Sequence, residues 1–341
     1  MNRVGPRNAI TDVPGIKVGN AEDHDALSGV TVVLPDRPVM ATVDLRGGAT
    51  GTREIERLHP ADLLDQFHGF VLSGGSAFGL GAADGVMTWL AARGRGFVVR
   101  QAVVPIVPAA ILFDLSNGGD KAWGDEPPYR ALGIRAAEAA GLDFALGNAG
   151  AGLGATAGPL KGGLGSASVV HETGTTVGAL AAVNCFGSVL MPRSATFWAW
   201  PFERDEELGG QAPPPADLPR DLEYRFEGAP ATNTTLVLVA SDARLTKAQA
   251  HRVAVMAQDG MARAIRPVHT PMDGDTLFML ATCEREMEDP IIEVPRIGMM
   301  AADCVARAIA RGVYEAESLG DMKSYRDFCA EGGNENGERG E

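Results

Sequence analysis

No stretch of this sequence holds about 18 consecutive apolar residues, so no transmembrane helix is expected. The start, MNRVGPRNAITDVPGIKVGN, lacks the apolar core of a secretory signal. Basic residues are in deficit, 30 Lys and Arg against 44 Asp and Glu. The net charge of −14 leaves no basic footprint for nucleic-acid phosphates, so no nucleic-acid partner is expected. Cysteine is scarce. Cys185, Cys283, Cys304 and Cys329 are widely spaced and form no CxxC pair. That argues against a disulfide framework and fits reduced, mostly buried thiols in a cytoplasmic protein. The six histidines (His24, His59, His68, His171, His251 and His269) show no zinc-ligand spacing, and no cofactor or metal is expected. Aromatic residues make up only 6% of the chain. Ala, Val, Leu and Ile must build most of the core, and 341 residues allow a large one.

What the sequence does have is glycine, 43 residues of it, which implies tight turns and close backbone packing. Apolar runs predict strands near residues 30–34, 39–45, 69–72, 97–99, 179–186, 234–240 and 276–282. Helical periodicity predicts helices near 77–93, 128–140, 246–265 and 299–315, with Thr246 as an N-cap. The mixture indicates α/β layering. An acidic, proline-rich stretch at 201–230 and a polar tail at 330–341 are expected to be irregular. The first of these runs straight into ATNTTLVLVASDA, a strand-like segment.

That junction is the first candidate for chemistry. A threonine hydroxyl is a weak nucleophile without an adjacent base. If the bond between Asn233 and Thr234 were cut, the new α-amine of Thr234, with a pKa of roughly 7.7–8.0, could be that base. Alternatively, Thr234 is an ordinary β-branched strand start. Asp273-Gly274-Asp275 reads as a turn, as a proton-relaying carboxylate pair, or as oxygen ligands for a cation. Asn184 stands in an apolar run, where its amide can serve an oxyanion or satisfy nearby backbone. Lys161 follows a glycine-rich stretch and is either solvated or a pocket cation. That stretch matches a dinucleotide fingerprint only weakly, since no clean strand precedes it and no long helix follows. Ser76, in LSGGSAFGL, fails the nucleophile-elbow spacing and is expected to cap a helix. Cys185 has no basic neighbour in sequence and is read as an inert buried thiol.

Seven segments together resemble the DmpA-type self-processing aminopeptidases, a family that includes β-aminopeptidases and nylon-oligomer hydrolases. They are ITDVPGIKVGN (10–20), VDLRGGATGTRE (43–54), LSGGSAFGLGAADGVMTWL (72–90), GAGLGATAGPLKGGLGSAS (150–168), AAVNCFG (181–187), NTTLVLVASDARLT (233–246) and DGDTLF (273–278). The resemblance implies a four-layer αββα sandwich of the N-terminal-nucleophile kind, shared with ornithine acetyltransferases. It implies self-cleavage before Thr234, dividing one domain over 1–329 into chains 1–233 and 234–341. The family's catalytic positions fall on Thr234, Asn184, Asp273, Asp275 and Lys161, and a tyrosine of the nylon-type branch falls on Phe113. The implied activity is amide hydrolysis of short peptides or amides through an acyl-enzyme on Thr234. The implied assembly is a homo-oligomer, a tetramer. The alternatives are an acyltransferase of the ornithine-acetyltransferase type and a hydrolase of aminohexanoate oligomers.

Overall fold

In the computed structural model, residues 2–214, 216 and 233–332 are described. The chain opens with β1 (Arg3–Val4), β2 (Ile16–Asp23), β3 (Ser28–Pro35), β4 (Met40–Leu45), β5 (Thr52–Arg53) and β6 (Phe70–Ser73). Helix α1 (Gly81–Ala91) follows, then β7 (Phe97–Val99), β8 (Ala102–Val104), β9 (Ala109–Ile111) and α2 (Tyr129–Glu138). Next come β10 (Thr156–Ala157), β11 (Leu160–Lys161), β12 (Gly163–Val170) and β13 (Thr176–Asn184). The last part comprises β14 (Thr234–Ala243), α3 (Lys247–Ala264), β15 (Thr276–Arg285), α4 (Pro290–Tyr314) and α5 (Tyr325–Ala330).

Two sheets carry the architecture. One has six strands in the order β1-β12-β13-β14-β15-β4, and the other has five in the order β2-β3-β6-β9-β5. Strand side chains alternate between faces, so each sheet has two sides to bury. Leu236, Leu238, Phe278 and Leu280 of the first sheet meet Val33, Phe70 and Leu72 of the second in one buried cluster. On the outer face of the six-stranded sheet, Val237, Val239 and Met279 pack with Val253, Ala257, Val305 and Ile309 from α3 and α4. On the outer face of the other sheet, Val30 and Val32 pack with Val86 and Leu90 of α1 and Leu132 and Ala136 of α2. The result is the αββα sandwich, and small aliphatic residues dominate its interior.

The glycine-rich stretch has a packing role. Gly165 of β12 faces α4, where an added Cβ would lie 2.0 Å from the carbonyl oxygen of Ala308 and 2.3 Å from the nitrogen of Gly312. Only glycine lets helix and strand backbones approach this closely. A valine there would force α4 off the sheet and expose residues that each contribute about 1.5–3 kcal/mol by burial.

All seven expected strands are present, but the longer β2 and β12 and the short β1, β5, β8, β9, β10 and β11 were not foreseen. Helix α3 is capped as expected: Thr246 accepts from the Gln249 N–H and Gln249 reaches back to the Thr246 N–H. Helix α4 begins at Pro290 rather than near residue 299, because the Asp289 side chain caps the Ile291 N–H and Pro290 occupies a first-turn position that needs no hydrogen bond. Ser76 does not cap a helix. It has a φ of 51° and starts a 3₁₀ turn, Ser76–Leu80, that leads into α1 with no side-chain cap. The expected irregular stretch at 201–230 is partly ordered, since Trp200–Phe202 forms a 3₁₀ turn and Leu208 is buried. Residues 217–232 and the tail from 333 lie outside the described residues, and Ala330 itself ends α5. No helix among the described residues is long and apolar enough to cross a membrane.

Candidate active site

Strand ends converge at one end of the six-stranded sheet. Asn184, last in β13, stands opposite Thr234, first in β14. Thr276, first in β15, pairs with Leu236 on one side and Leu45 on the other. Thr234 shares the strand face of Leu236 and Leu238, and Asn184 that of Leu180 and Ala182, so both side chains belong to the inter-sheet side. Thr234 is 4% exposed and Asn184 2%.

The hydroxyl of Thr234 lies against the peptide bond that precedes it. Its Oγ1 donates to the carbonyl oxygen of Asn233 at 2.6 Å. The same oxygen accepts the backbone N–H of Gly274 at 2.9 Å. Two donors therefore polarise the Asn233 carbonyl. Gly274 is required by space: a Cβ there would sit 2.4 Å from Thr234 Oγ1. The loop after β4 locks this turn from the far side. Arg46 and Gly47 donate their N–H groups to the Asp275 carbonyl at 3.2 Å, and Ala49 donates to the Asp273 carbonyl at 2.9 Å. The segment VDLRGGATG thereby braces the Asp-Gly-Asp turn.

Both carboxylates are buried, each 1% exposed. Asp273 Oδ1 accepts the Phe186 N–H at 3.3 Å, and its Oδ2 accepts the Thr270 N–H at 3.0 Å and hydroxyl at 2.6 Å. Burial raises the Asp273 pKa, and the charge of Asp275 raises it further. Asp275 Oδ1 accepts the Thr235 N–H at 2.8 Å. Its Oδ2 accepts the His269 N–H at 3.0 Å and lies 2.8 Å from His269 Nδ1. The oxygens face hydrogen-bond donors, not further oxygen ligands, and no cluster of three or more metal-binding side chains occurs among the described residues.

Asn184 is fixed in orientation. Its Oδ1 accepts the Thr156 N–H at 2.9 Å, so its Nδ2 turns the other way and donates to the Phe113 carbonyl at 3.1 Å. One N–H of the amide is thus used, and the other can serve a second acceptor. The side chain of Phe113 has no hydroxyl to offer; its backbone carbonyl makes the contact.

Lys161 stands one hairpin away. Thr156, the donor to Asn184, pairs with Lys161 across β10 and β11. The Lys161 side chain is fully buried, and its Nζ donates to the carbonyls of Gly152 at 2.9 Å and Gly162 at 2.7 Å. Burial lowers its pKa to about 7. A neutral amine has two N–H donors, matching the two carbonyls. Cys185 is buried, and its thiol is pushed well above the usual range by burial and then by Asp273 and Asp275.

Thr234, Asn184, Asp273 and Asp275 therefore form one cluster, with Lys161 joined to it through Thr156. Sequence reasoning missed His269 and Thr270. The only available signal was their place four and three residues before Asp273, across the Pro271-Met272 turn.

Comparison with known proteins identifies the family and supports the fold. The sequence profile of peptidase family S58 matches residues 8–326. A protein of Mycobacterium tuberculosis named as an uncharacterized aminopeptidase is 44% identical over 94% of this chain and 98% of its own length. A 6-aminohexanoate-oligomer endohydrolase of an Agromyces species is 30% identical over 81% of this chain and 75% of its own. Among solved structures, a β-aminopeptidase of a Burkholderia species superposes with a TM-score of 0.71 at 24% identity, covering 97% of this chain and 96% of that one. The L-aminopeptidase D-Ala-esterase/amidase of Ochrobactrum anthropi, described as a variant of the Ntn hydrolase fold, superposes at 0.69 with 22% identity over 94% and 89%. With a family profile spanning nearly the whole chain and the matching sandwich beneath it, this protein belongs to peptidase family S58, hydrolases of peptide or amide bonds on the Ntn fold.

Proposed function

We propose that this protein cuts its own chain between Asn233 and Thr234 and then works as an aminopeptidase or amidase with Thr234 as nucleophile. The observation that carries the reading is the 2.6 Å contact between Thr234 Oγ1 and the Asn233 carbonyl, with the Gly274 N–H on the same oxygen. In maturation, Oγ1 adds to the Asn233 carbonyl carbon while the Gly274 N–H holds the developing oxyanion. The C–N bond breaks, the Thr234 nitrogen takes a proton, and an ester remains. Water opens the ester, giving an Asn233 carboxylate and a free Thr234 amine.

Departure of Asn233 vacates the space beside Gly274, where a substrate carbonyl can then bind. The Thr234 amine takes the hydroxyl proton, Oγ1 attacks, and the Gly274 N–H and the second N–H of Asn184 stabilise the oxyanion. The amine product leaves with a proton, and water hydrolyses the acyl-enzyme. Asp273, inclined to hold its proton, stands beside charged Asp275 as a proton store. Lys161 acts through the β10–β11 hairpin, holding the Thr156 N–H on Asn184. The expected substrates are short peptides or linear amides, with no nucleic acid, no membrane partner and no cofactor, and the expected assembly is a homotetramer in the cytoplasm. Aminohexanoate oligomers fall within the class by likeness to the Agromyces relative, and a screen of peptide and oligomer substrates decides between them. Release of the acyl group by water alone, with no amine acceptor, separates this reading from acyl transfer.

Intact-mass analysis of purified protein tests the cut directly. Two pieces, of 233 and 108 residues, are expected, the smaller beginning Thr-Thr-Leu-Val-Leu. Thr234→Ala should leave one soluble chain with turnover reduced by about 10⁴-fold or more. Thr234→Ser should keep both reactions at altered rates. An active, uncut wild type, or a Thr234→Ala protein that still cuts and turns over, sinks the assignment.

A further inference from the structure

We propose that His269 is a positioning residue for this site, aligning the nucleophile end of β14 through Asp275. The inference rests on Thr234 being the nucleophile. It begins with a gap in the sheet. The main-chain ladder between β14 and β15 starts at Leu236 and Thr276, and a lone bridge joins Asn233 to Asp273 before it, so Thr234 and Thr235 fall in the interruption on the β15 side while they pair with Asn184 and Val183 of β13 on the other. The Thr235 N–H instead bonds the Asp275 carboxylate at 2.8 Å. A side chain thus takes the place of a ladder acceptor, and on the β15 side the peptide after Thr234 is set by how that side chain is held.

His269 holds it. Asp275 Oδ2 accepts the His269 main-chain N–H and lies 2.8 Å from the ring Nδ1. With a carboxylate oxygen facing it, Nδ1 is the donor, and Nε2 is the outward nitrogen of the ring. The ring side chain is 21% exposed, while Asp275 is 1% exposed. His269 also has a φ of 57°, a left-handed conformation uncommon outside glycine and asparagine. The bent backbone is what lets one residue present both its N–H and its Nδ1 to a single oxygen. Thr270, next in the chain, supplies two donors to Asp273. The His-Thr pair therefore fixes both carboxylates, and Asp275 in turn fixes the peptide that follows the nucleophile. A ring that served only to fill space would not need this contact to Asp275.

Three variants of the full chain test the inference: His269→Gly, His269→Asn and His269→Gln. Glycine accepts the left-handed backbone without strain and removes only the ring. Asparagine also tolerates that backbone and places an N–H donor close to the position of Nδ1. Glutamine moves the donor one carbon further out. Rates of self-cleavage and of turnover on a short amide substrate are measured for each. For His269→Gly, both rates should fall by about 10- to 100-fold, as expected for a nucleophile displaced by about 1 Å, with KM changed by less than about threefold. His269→Asn should recover most of both rates, and His269→Gln should not. Free imidazole added to His269→Gly should restore part of the turnover. Wild-type rates in His269→Gly, or a His269→Asn protein as slow as His269→Gly, overturns the role. A cut, active wild type beside an unimpaired His269→Gly overturns His269 alone. A wild type that is never cut overturns the Thr234 reading and this inference together.

Discussion

Two buried polar clusters draw on both sides of the Asn233–Thr234 junction, and they are built on opposite plans. In the first, Arg307 of α4 is fully buried. It donates to Glu207 Oε1 at 2.5 Å and Oε2 at 2.8 Å, to the Ser168 carbonyl at 3.0 Å and to Asn8 Oδ1 at 2.7 Å. Opposite charges meet, and the fork geometry of the guanidinium is used fully. In the second, Asp273 and Asp275 are like charges separated by Gly274, buried to the same degree, with the Asp273 pKa raised. The first cluster has nothing left to exchange. The second keeps a carboxyl group inclined to hold a proton and a threonine hydroxyl pressed against a carbonyl. Satisfied opposite charge is architecture, whereas like charge tolerated in a core points to proton traffic.

The contrast breaks open with one substitution in each cluster. Arg307→Met should cost about 3–5 kcal/mol of stability, because Glu207 loses its bidentate partner in a buried place and keeps only the Asn8 amide and the more distant Arg311. Turnover per folded molecule should not change. Asp275→Asn should do the reverse. Its carboxamide nearly matches the carboxylate in shape but offers a single acceptor oxygen, so the Thr235 N–H or the His269 donors lose their partner. Self-cleavage and turnover should fall by about 100-fold, while the urea midpoint falls less than in Arg307→Met, by the cost of about one unpaired buried donor. Urea unfolding and steady-state kinetics on the same preparations read both effects. If Asp275→Asn unfolds the protein as Arg307→Met does, or Arg307→Met lowers the turnover rate, the two clusters are not different in kind.

The sandwich was largely legible because its strands announce themselves. Residues 234–240 and 276–282 are largely apolar runs, the first rich in β-branched side chains. Strand β12 was hidden because Gly163 and Gly165 lack side chains, and their purpose is visible only once α4 lies across them. The start of α4 was hidden by Pro290 and Pro295, which read as breakers although a first-turn proline suits a helix. The buried grip on Glu207 was invisible for a different reason. Its partner is 100 residues away, and an acidic, proline-rich neighbourhood reads as solvated chain. At the site, Thr234, Asn184 and the Asp pair were drawn from family resemblance, because a Thr-Thr strand start and an Asp-Gly turn are common. His269 escaped because a single histidine carries no spacing signal.

A smaller effect lies in Lys161, an amine buried by the fold with no carboxylate in contact. Its pKa falls from 10.5 to about 7 on folding, through burial, with Asp114 opposing. Between those values the unfolded chain binds a proton that the folded chain does not. Stability therefore rises with pH across the window, by up to about 1.4 kcal/mol per pH unit. The penalty grows as pH falls from 10.5 towards 7 and then stays constant. Lys161→Met should remove this slope. Urea midpoints at pH 7.5 and 9.5 should diverge less in the variant than in the wild type. Equal divergence would show that Lys161 does not titrate in this window.

The smallest change expected is at Thr235, and it separates the nucleophile from its neighbour. Thr235 is fully buried, and its Oγ1 has no hydrogen-bond partner, although its N–H is held by Asp275. Its side chain faces away from that of Thr234, since neighbours in a strand point to opposite sides of the sheet. An unpaired buried hydroxyl costs free energy, about 1–3 kcal/mol when nothing replaces its lost water. Thr235→Val keeps the β-branched shape and deletes that atom, leaving the N–H bond to Asp275 intact. Stability should stay level or rise by about 1 kcal/mol. Cleavage and turnover should remain within about twofold of wild type, since nothing that touches the Asn233 carbonyl has changed. Chemical denaturation and a fragment time course on the same sample measure both. A Thr235→Val protein that fails to cut, beside a Thr234→Val protein that cuts normally, would move the nucleophile one residue along the strand and turn the like-charge cluster towards the other face of the sheet.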